Sequence, residues 1–182
     1  LLGSGNSWYA VETGSGREAW RVRWVTSYGV NAADPIVENG RVFLSSGYAH
    51  GGALLKLGDG EPEPVWESKA IACQMNPCVL INGHLYGVSG DEDKKPALKC
   101  IEFATGVEKW SQEGLGAGGV AAAAGRLIVL AQNGELIVAP ATPEGFKPSA
   151  RAKVLGGKSW TAPVLANGRI YARNAGGEIV CL

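Results

Sequence analysis

One turn recurs along this chain of 182 residues, and its spacing constrains the fold more than any other feature. It reads Asn39-Gly40-Arg41-Val42, Asn82-Gly83-His84-Leu85, Ala124-Gly125-Arg126-Leu127 and Asn167-Gly168-Arg169-Ile170, with the glycines 43, 42 and 43 residues apart. Asn-Gly favours the type I′ turn, whose two central residues both take positive φ and whose twist matches that of two antiparallel strands. Each copy therefore marks a β-hairpin. Branched apolar residues flank the turns, Ile36-Val37 before the first and Val164-Leu165 before the last, as β-strands require. A third apolar segment then follows in every unit, at residues 9–11, 53–57, 98–103, 136–139 and 178–182.

A second signature closes the unit. Ala10-Val11-Glu12-Thr13-Gly14-Ser15-Gly16-Arg17-Glu18-Ala19-Trp20 aligns position for position with Cys100-Ile101-Glu102-Phe103-Ala104-Thr105-Gly106-Val107-Glu108-Lys109-Trp110. Glu12 and Glu102 can accept hydrogen bonds from turn donors, Ser15 and Thr105 can brace the turn, and Gly16 and Gly106 tolerate the φ that the turn demands. Four residues further on, Trp20 or Trp110 supplies a large ring to bury against the neighbouring unit. The segment from Asp59-Gly60 to Trp66 is a looser copy, two residues longer, and the copy at 140–152 has lost the motif.

Four antiparallel strands at this period describe the blades of a β-propeller, an all-β fold in which one blade cannot bury both faces without neighbours. A sandwich of antiparallel sheets has no reason to keep a constant period. Alanines at 121–124 would suit a helix, but Gly116, Gly118, Gly119 and Gly125 bracket them, and they fall in register with a strand of the other copies. The chain reads as a single propeller segment, 1–182, of about four four-stranded blades with boundaries near 27, 70, 114 and 157. The expectation is that it forms part of a larger ring of seven or eight blades, with any export signal upstream. A four-bladed closure is the alternative.

Composition bounds the function. Lysine plus arginine and aspartate plus glutamate number 17 each, so no net field draws the chain to nucleic acid or an anionic membrane. Apolar runs such as Leu127-Ile128-Val129-Leu130-Ala131 are far shorter than the roughly 20 residues of a membrane-spanning helix. Cys73, Cys78, Cys100 and Cys181 match neither a zinc ribbon nor a CxxC pair. A Cys73–Cys78 disulfide is conceivable in an exported protein; otherwise the four are small buried hydrophobes.

At the Glu-x-x-Thr-Gly-x-x-x-Trp stretch ending at Trp110, and at its counterpart ending at Trp20, the sequence resembles the pyrroloquinoline-quinone-like β-propeller repeat family. That family includes quinoprotein alcohol dehydrogenases and the propeller lipoprotein of outer-membrane assembly. The resemblance implies a bacterial periplasmic or extracellular location. In the dehydrogenases it implies pyrroloquinoline quinone gripped by adjacent cysteines and a tryptophan beside calcium. No adjacent Cys-Cys occurs in this chain, and Asp91-Glu92-Asp93-Lys94-Lys95 reads as a solvated hairpin tip, so no cofactor or metal is assigned.

Candidate sites follow from blade order. The strand before each Asn-Gly turn should be innermost, so the residues preceding it ring one mouth of the central channel. Tyr28, Asn31, Asp34, Gln74, Asn76, Lys158 and Trp160 form that ring, with Gly116 and Ser159 at the positions equivalent to Asn31 and Gln74. Converging polar groups and an aromatic at a concave mouth suit a small ligand; the competing reading is that the amides satisfy backbone groups of inter-blade loops. His50 and His84 read as surface turn residues without metal-ligand spacing. Glu12, Gly16, Trp20, Trp66, Glu102, Thr105, Gly106 and Trp110 read as blade-docking residues, and no catalytic group is assigned. The leading expectation is a non-catalytic module of the cell envelope, binding a ligand or protein at the channel mouth or an edge strand. Its partners would be further blades of the same chain or another protein. A fragment of a quinone-dependent alcohol or sugar dehydrogenase, with pyrroloquinoline quinone and calcium, is the alternative.

Overall fold

The computed structural model describes residues 1–90 and 95–182, so the charge run Asp91-Glu92-Asp93-Lys94-Lys95 lies, but for Lys95, outside the described residues. The described residues are built from strands, turns and loops. β1 (Leu2–Gly3), β2 (Ser7–Val11) and β3 (Glu18–Arg23) form a three-stranded sheet. Three four-stranded sheets follow: β4 (Ile36–Glu38), β5 (Arg41–Ser46), β6 (Gly51–Lys56) and β7 (Glu63–Ser68); β8 (Val79–Ile81), β9 (His84–Ser89), β10 (Ala97–Glu102) and β11 (Glu108–Gln112); then β12 (Gly119–Ala123), β13 (Arg126–Leu130), β14 (Glu135–Pro140) and β15 (Ala150–Lys153). β16 (Val164–Ala166), β17 (Arg169–Arg173) and β18 (Ile179–Cys181) complete the array as a second three-stranded sheet. Within each sheet the strands pair antiparallel in sequence order, which is the meander of a propeller blade.

The recurrent turn performs as its residues dictate. Asn39 and Gly40 take φ of 48° and 69°, Asn82 and Gly83 47° and 75°, and Asn167 and Gly168 51° and 73°. The copy that lacks asparagine keeps the same geometry, with Ala124 at 49° and Gly125 at 70°. Hairpin register follows directly: Val37 pairs with Val42, Leu80 with Leu85, Ala122 with Leu127 and Leu165 with Ile170. The alanine-rich stretch is strand β12, paired along its length with β13.

Strands that open consecutive blades approach one another. β12 touches both β8 and β16, which puts the opening strands of the last three sheets on the inside of the array. The middle strands are the best buried: every residue from Val42 to Ser46 and from Leu85 to Ser89 is inaccessible or nearly so. Between blades the apolar faces meet in discrete clusters. Phe43 and Leu54 of one blade pack with Leu85 and Ile101 of the next, and Tyr86, Leu98 and Cys100 pack with Leu127, Val129 and Ile137 of the one after. Burial pushes the Cys100 thiol up to about 11.

Candidate functional site

Antiparallel meander places two sets of loops at each end of the array. One end carries the Asn-Gly turns and the turns between the third and fourth strands. The other carries the loops joining consecutive blades and the turns between the second and third strands.

At the first end, the repeated acidic turns have one geometry. The Glu12 and Glu102 amides donate across the turn in the same way, Glu12 N to Arg17 O and Glu102 N to Val107 O, while Gly16 N and Gly106 N donate back to the Glu12 and Glu102 carbonyls. Ser15 Oγ donates to Glu12 at 2.7 Å and Thr105 Oγ1 to Glu102 at 2.5 Å. Arg17 pairs with Glu12, and Lys109 stands 3.4 Å from Glu102. These donors hold both carboxyls below their ordinary value.

The tryptophans reach across blades. Trp66 Nε1 donates to Phe103 O at 2.9 Å and its ring lies on Gly106, where an added Cβ would come within 2.7 Å of it. Trp110 Nε1 donates to Thr142 O at 2.9 Å, and its ring lies between Tyr86 and Phe146, each with centroids 5.9 Å away. Trp20 packs on the cluster of Trp8, Trp24, Val42 and Leu44. In all three sheets a register shift adjoins the tryptophan, between Ala10 and Val11, Leu54 and Leu55, and Cys100 and Ile101, so that one extra residue is accommodated on the outer strand. The fourth sheet keeps continuous register and places Ala150 at the tryptophan position, opposite Val138.

The residues expected at a channel mouth lie at the second end. Asn31 is a cross-brace: its Nδ2 donates to Ser4 O at 2.7 Å, and its Oδ1 accepts from Ser46 Oγ at 2.8 Å. Ser46 Oγ in turn accepts from Trp24 Nε1 at 2.8 Å. Asn76 reaches further. Its Nδ2 donates to Trp160 O at 2.7 Å and to Gly118 O at 3.2 Å, and its Oδ1 accepts from Ala162 N at 3.2 Å. Gln74 packs against Gly47, where a Cβ would come within 2.6 Å of the glutamine side chain. The structure thus joins Gln74, Asn76 and Trp160 in one region, with Lys158 Nζ 4.5 Å above the Trp160 ring. Asn31 belongs to a separate network in the preceding inter-blade loop, one blade away from Asn76, and Asp34 is exposed beside it.

The space between these groups is small. Gln74, Met75, Asn76, Ala117 and Gly118 line a crevice that admits little more than about one water molecule. A wider, open groove of 390 Å³ runs beside it, lined by Gly114, Leu115, Gly116, Gln132, Asn133, Gly157 and Lys158. Exposed apolar side chains stand around this rim. Tyr28 is 73% exposed and meets Tyr48 edge-on with centroids 4.7 Å apart, and Met75 is 38% exposed.

Sequence reasoning missed Met75 and Tyr48, whose one signal is an apolar side chain flanked by polar loop residues. It also missed the buried hydroxyls that hold the inter-blade loops: Ser45 Oγ accepts from Cys73 N and Ser89 Oγ from Ala72 N, each at 2.9 Å. His50 is less exposed than its hairpin position suggests. Its ring lies 4.3 Å from Trp24, and burial lowers its pKa. His84 sits in its turn, with Nδ1 3.0 Å from Asn82 O. Among the described residues no group of three or more His, Cys, Asp or Glu side chains is placed to hold a metal, and no helix is long and apolar enough to cross a membrane.

Radial antiparallel blades, interlocked by tryptophan and an acidic turn, define a β-propeller of pyrroloquinoline-quinone-like repeats. Residues 7–112 match the family model described as outer membrane protein assembly factor BamB, and the chain belongs to that family. Among solved structures it is similar to BamB from Moraxella catarrhalis, with a TM-score of 0.55, 14% identity, 97% of this chain covered and 64% of that one. The computationally designed Ika8 protein superposes with a TM-score of 0.67 and 12% identity over 94% of this chain and 50% of its own. For the designed Ika4 protein the values are 0.69 and 13%, over 92% and 98%. The chain therefore spans less than two thirds of the BamB structure and half of Ika8. No curated protein sequence matches it.

Proposed function

We propose that this chain is a non-catalytic binding module of the bacterial cell envelope that holds a protein partner on the rim where its inter-blade loops emerge. The observation that carries this reading is the division of labour on that rim. Asn31 and Asn76, the amides best suited to grip a small ligand, are committed to backbone and hydroxyl groups of neighbouring loops. Tyr28, Met75 and the half-buried Tyr48 and Trp160 instead present apolar area outward. Aromatic residues and methionine are the types enriched where one protein buries another, and a rigid, braced rim lowers the ordering cost of association. Membership of a family named for outer-membrane assembly supports the envelope location and a protein partner.

The test is substitution of the rim. Tyr28→Glu with Met75→Glu should release the protein from its complexes in gently solubilised envelopes, read by native electrophoresis, while its thermal melting stays unchanged. Retention of those complexes by the double variant would overturn the reading. So would saturable oxidation of an alcohol or sugar by the purified protein supplied with pyrroloquinoline quinone, calcium and an electron acceptor.

A further inference from the structure

We infer that Cys73 and Cys78 are a disulfide-forming pair whose bond closes the loop that carries Asn76. Both cysteines are free thiols in the structure, and both are buried. Their Sγ atoms stand 3.0 Å apart, closer than unbonded sulfurs rest, and about 1 Å from the 2.05 Å of the covalent bond. Two elements hold them there. Cys73 is fixed by its bridge to Ser89 and by the bond from its amide to Ser45 Oγ, while Cys78 lies immediately before β8. Opposite them on β9 stands Gly87, where a Cβ would lie 2.4 Å from Cys78 Sγ and 3.0 Å from Cys73 Sγ. The missing side chain is the room in which the sulfur pair sits.

The chemistry needs a disulfide oxidant, such as oxidised glutathione or a protein thiol oxidase. The thiolate of one cysteine attacks a sulfur of that oxidant, forming a mixed disulfide and releasing one thiol. The second cysteine gives up its proton to solvent and attacks the protein-borne sulfur, and the second thiol leaves. The protein loses two electrons and two protons, and one oxidant disulfide becomes two thiols. With the sulfurs buried in the folded blade, and the Cys78 thiol held protonated by its contact with Cys73 and by burial, the exchange runs during folding, before the blade closes over them. The oxidising compartment proposed above would supply the oxidant, but the pairing itself is independent of that location.

The consequence reaches the rim. Gln74, Met75 and Asn76 lie inside the loop that the bond closes, and Asn76 is bonded to Gly118, Trp160 and Ala162 on two other inter-blade loops. A closed loop presents the Asn76 amide in one position and removes freedom from the unfolded chain.

The experiment refolds the reduced chain in a glutathione redox buffer, quenches it in acid, unfolds it and alkylates the remaining thiols before peptide mapping. Cys100 and Cys181 should be labelled, whereas the peptides of Cys73 and Cys78 should be linked and two hydrogens lighter. Full labelling of Cys73 and Cys78, or linkage of either to Cys100 or Cys181, would overturn the inference. Reduction should lower the melting temperature by roughly 4 to 8 °C. Cys78→Ser should melt at that lower temperature under both conditions; a melting difference between oxidised and reduced Cys78→Ser as large as that of the parent chain would also overturn it.

Discussion

Ala124 shows how far a local conformation is set by position within the repeat. It occupies φ 49° where the other copies have asparagine, so an alanine is held in the left-handed region by the hairpin around it. Ala124→Asn should therefore stabilise the chain by about 1 kcal/mol and raise the melting temperature by roughly 2 to 4 °C, readable by circular dichroism. Glu102 offers the opposite test, by titration. Its carboxyl is held below the usual 4.5, first by the Thr105 hydroxyl and then by Lys109. The folded state thus binds fewer protons, so the stabilisation is present above 4.5 and fades as pH falls through the lower folded value. Glu102→Gln should flatten the acid limb of melting temperature against pH, because it removes the stabilisation present near neutrality and leaves the melting temperature at acid pH nearly unchanged. At this scale the sequence was readable where a residue acts on its own backbone, as Asn-Gly does. Asn76 was readable only as a polar group near the channel. Its acceptors are backbone carbonyls 42 and 84 residues away, and a carbonyl leaves no mark in the residue type.

The unit of packing is a strand with its turn. The ring of Trp110 caps one blade on the next, sitting between Tyr86 and Phe146 while its indole nitrogen is tied to Thr142. Trp110→Ala should cost about 3 kcal/mol, at the low end for a lost core aromatic because the ring is partly exposed. Gly106→Ala should weaken the equivalent joint one blade earlier, since φ there is 73° and the new methyl would strike Trp66. Both effects are measurable by urea unfolding. The strand order and hairpin positions were legible because turn chemistry and apolar runs repeat at one period. The fourth copy, without motif or tryptophan, still makes strand β15, where Arg151 and Lys153 pair with Glu135 and the carbonyl of Asn133. Ion pairing and continuous register within the sheet hold that strand without a tryptophan, and no residue-type pattern announces them.

Over the whole array, the flanking sheets differ from the inner ones. Among the described residues β18 bonds only to β17, and Ile179 on it is 70% exposed. An open edge bearing a branched apolar side chain is a template for another strand. Ile179→Lys should lower the tendency of the isolated chain to self-associate at high concentration, as read by sedimentation velocity, and leave its melting temperature nearly unchanged.

A stack of blades touching only their neighbours would melt piecemeal from its ends, because each joint is lost independently. Asn76 breaks that rule. Rooted before the third sheet, it grips the loops that lead into the fourth and the fifth, acting as a strut that skips a blade. Loosening one inner sheet must then disturb two others at once, which converts a row of separate transitions into a single cooperative one.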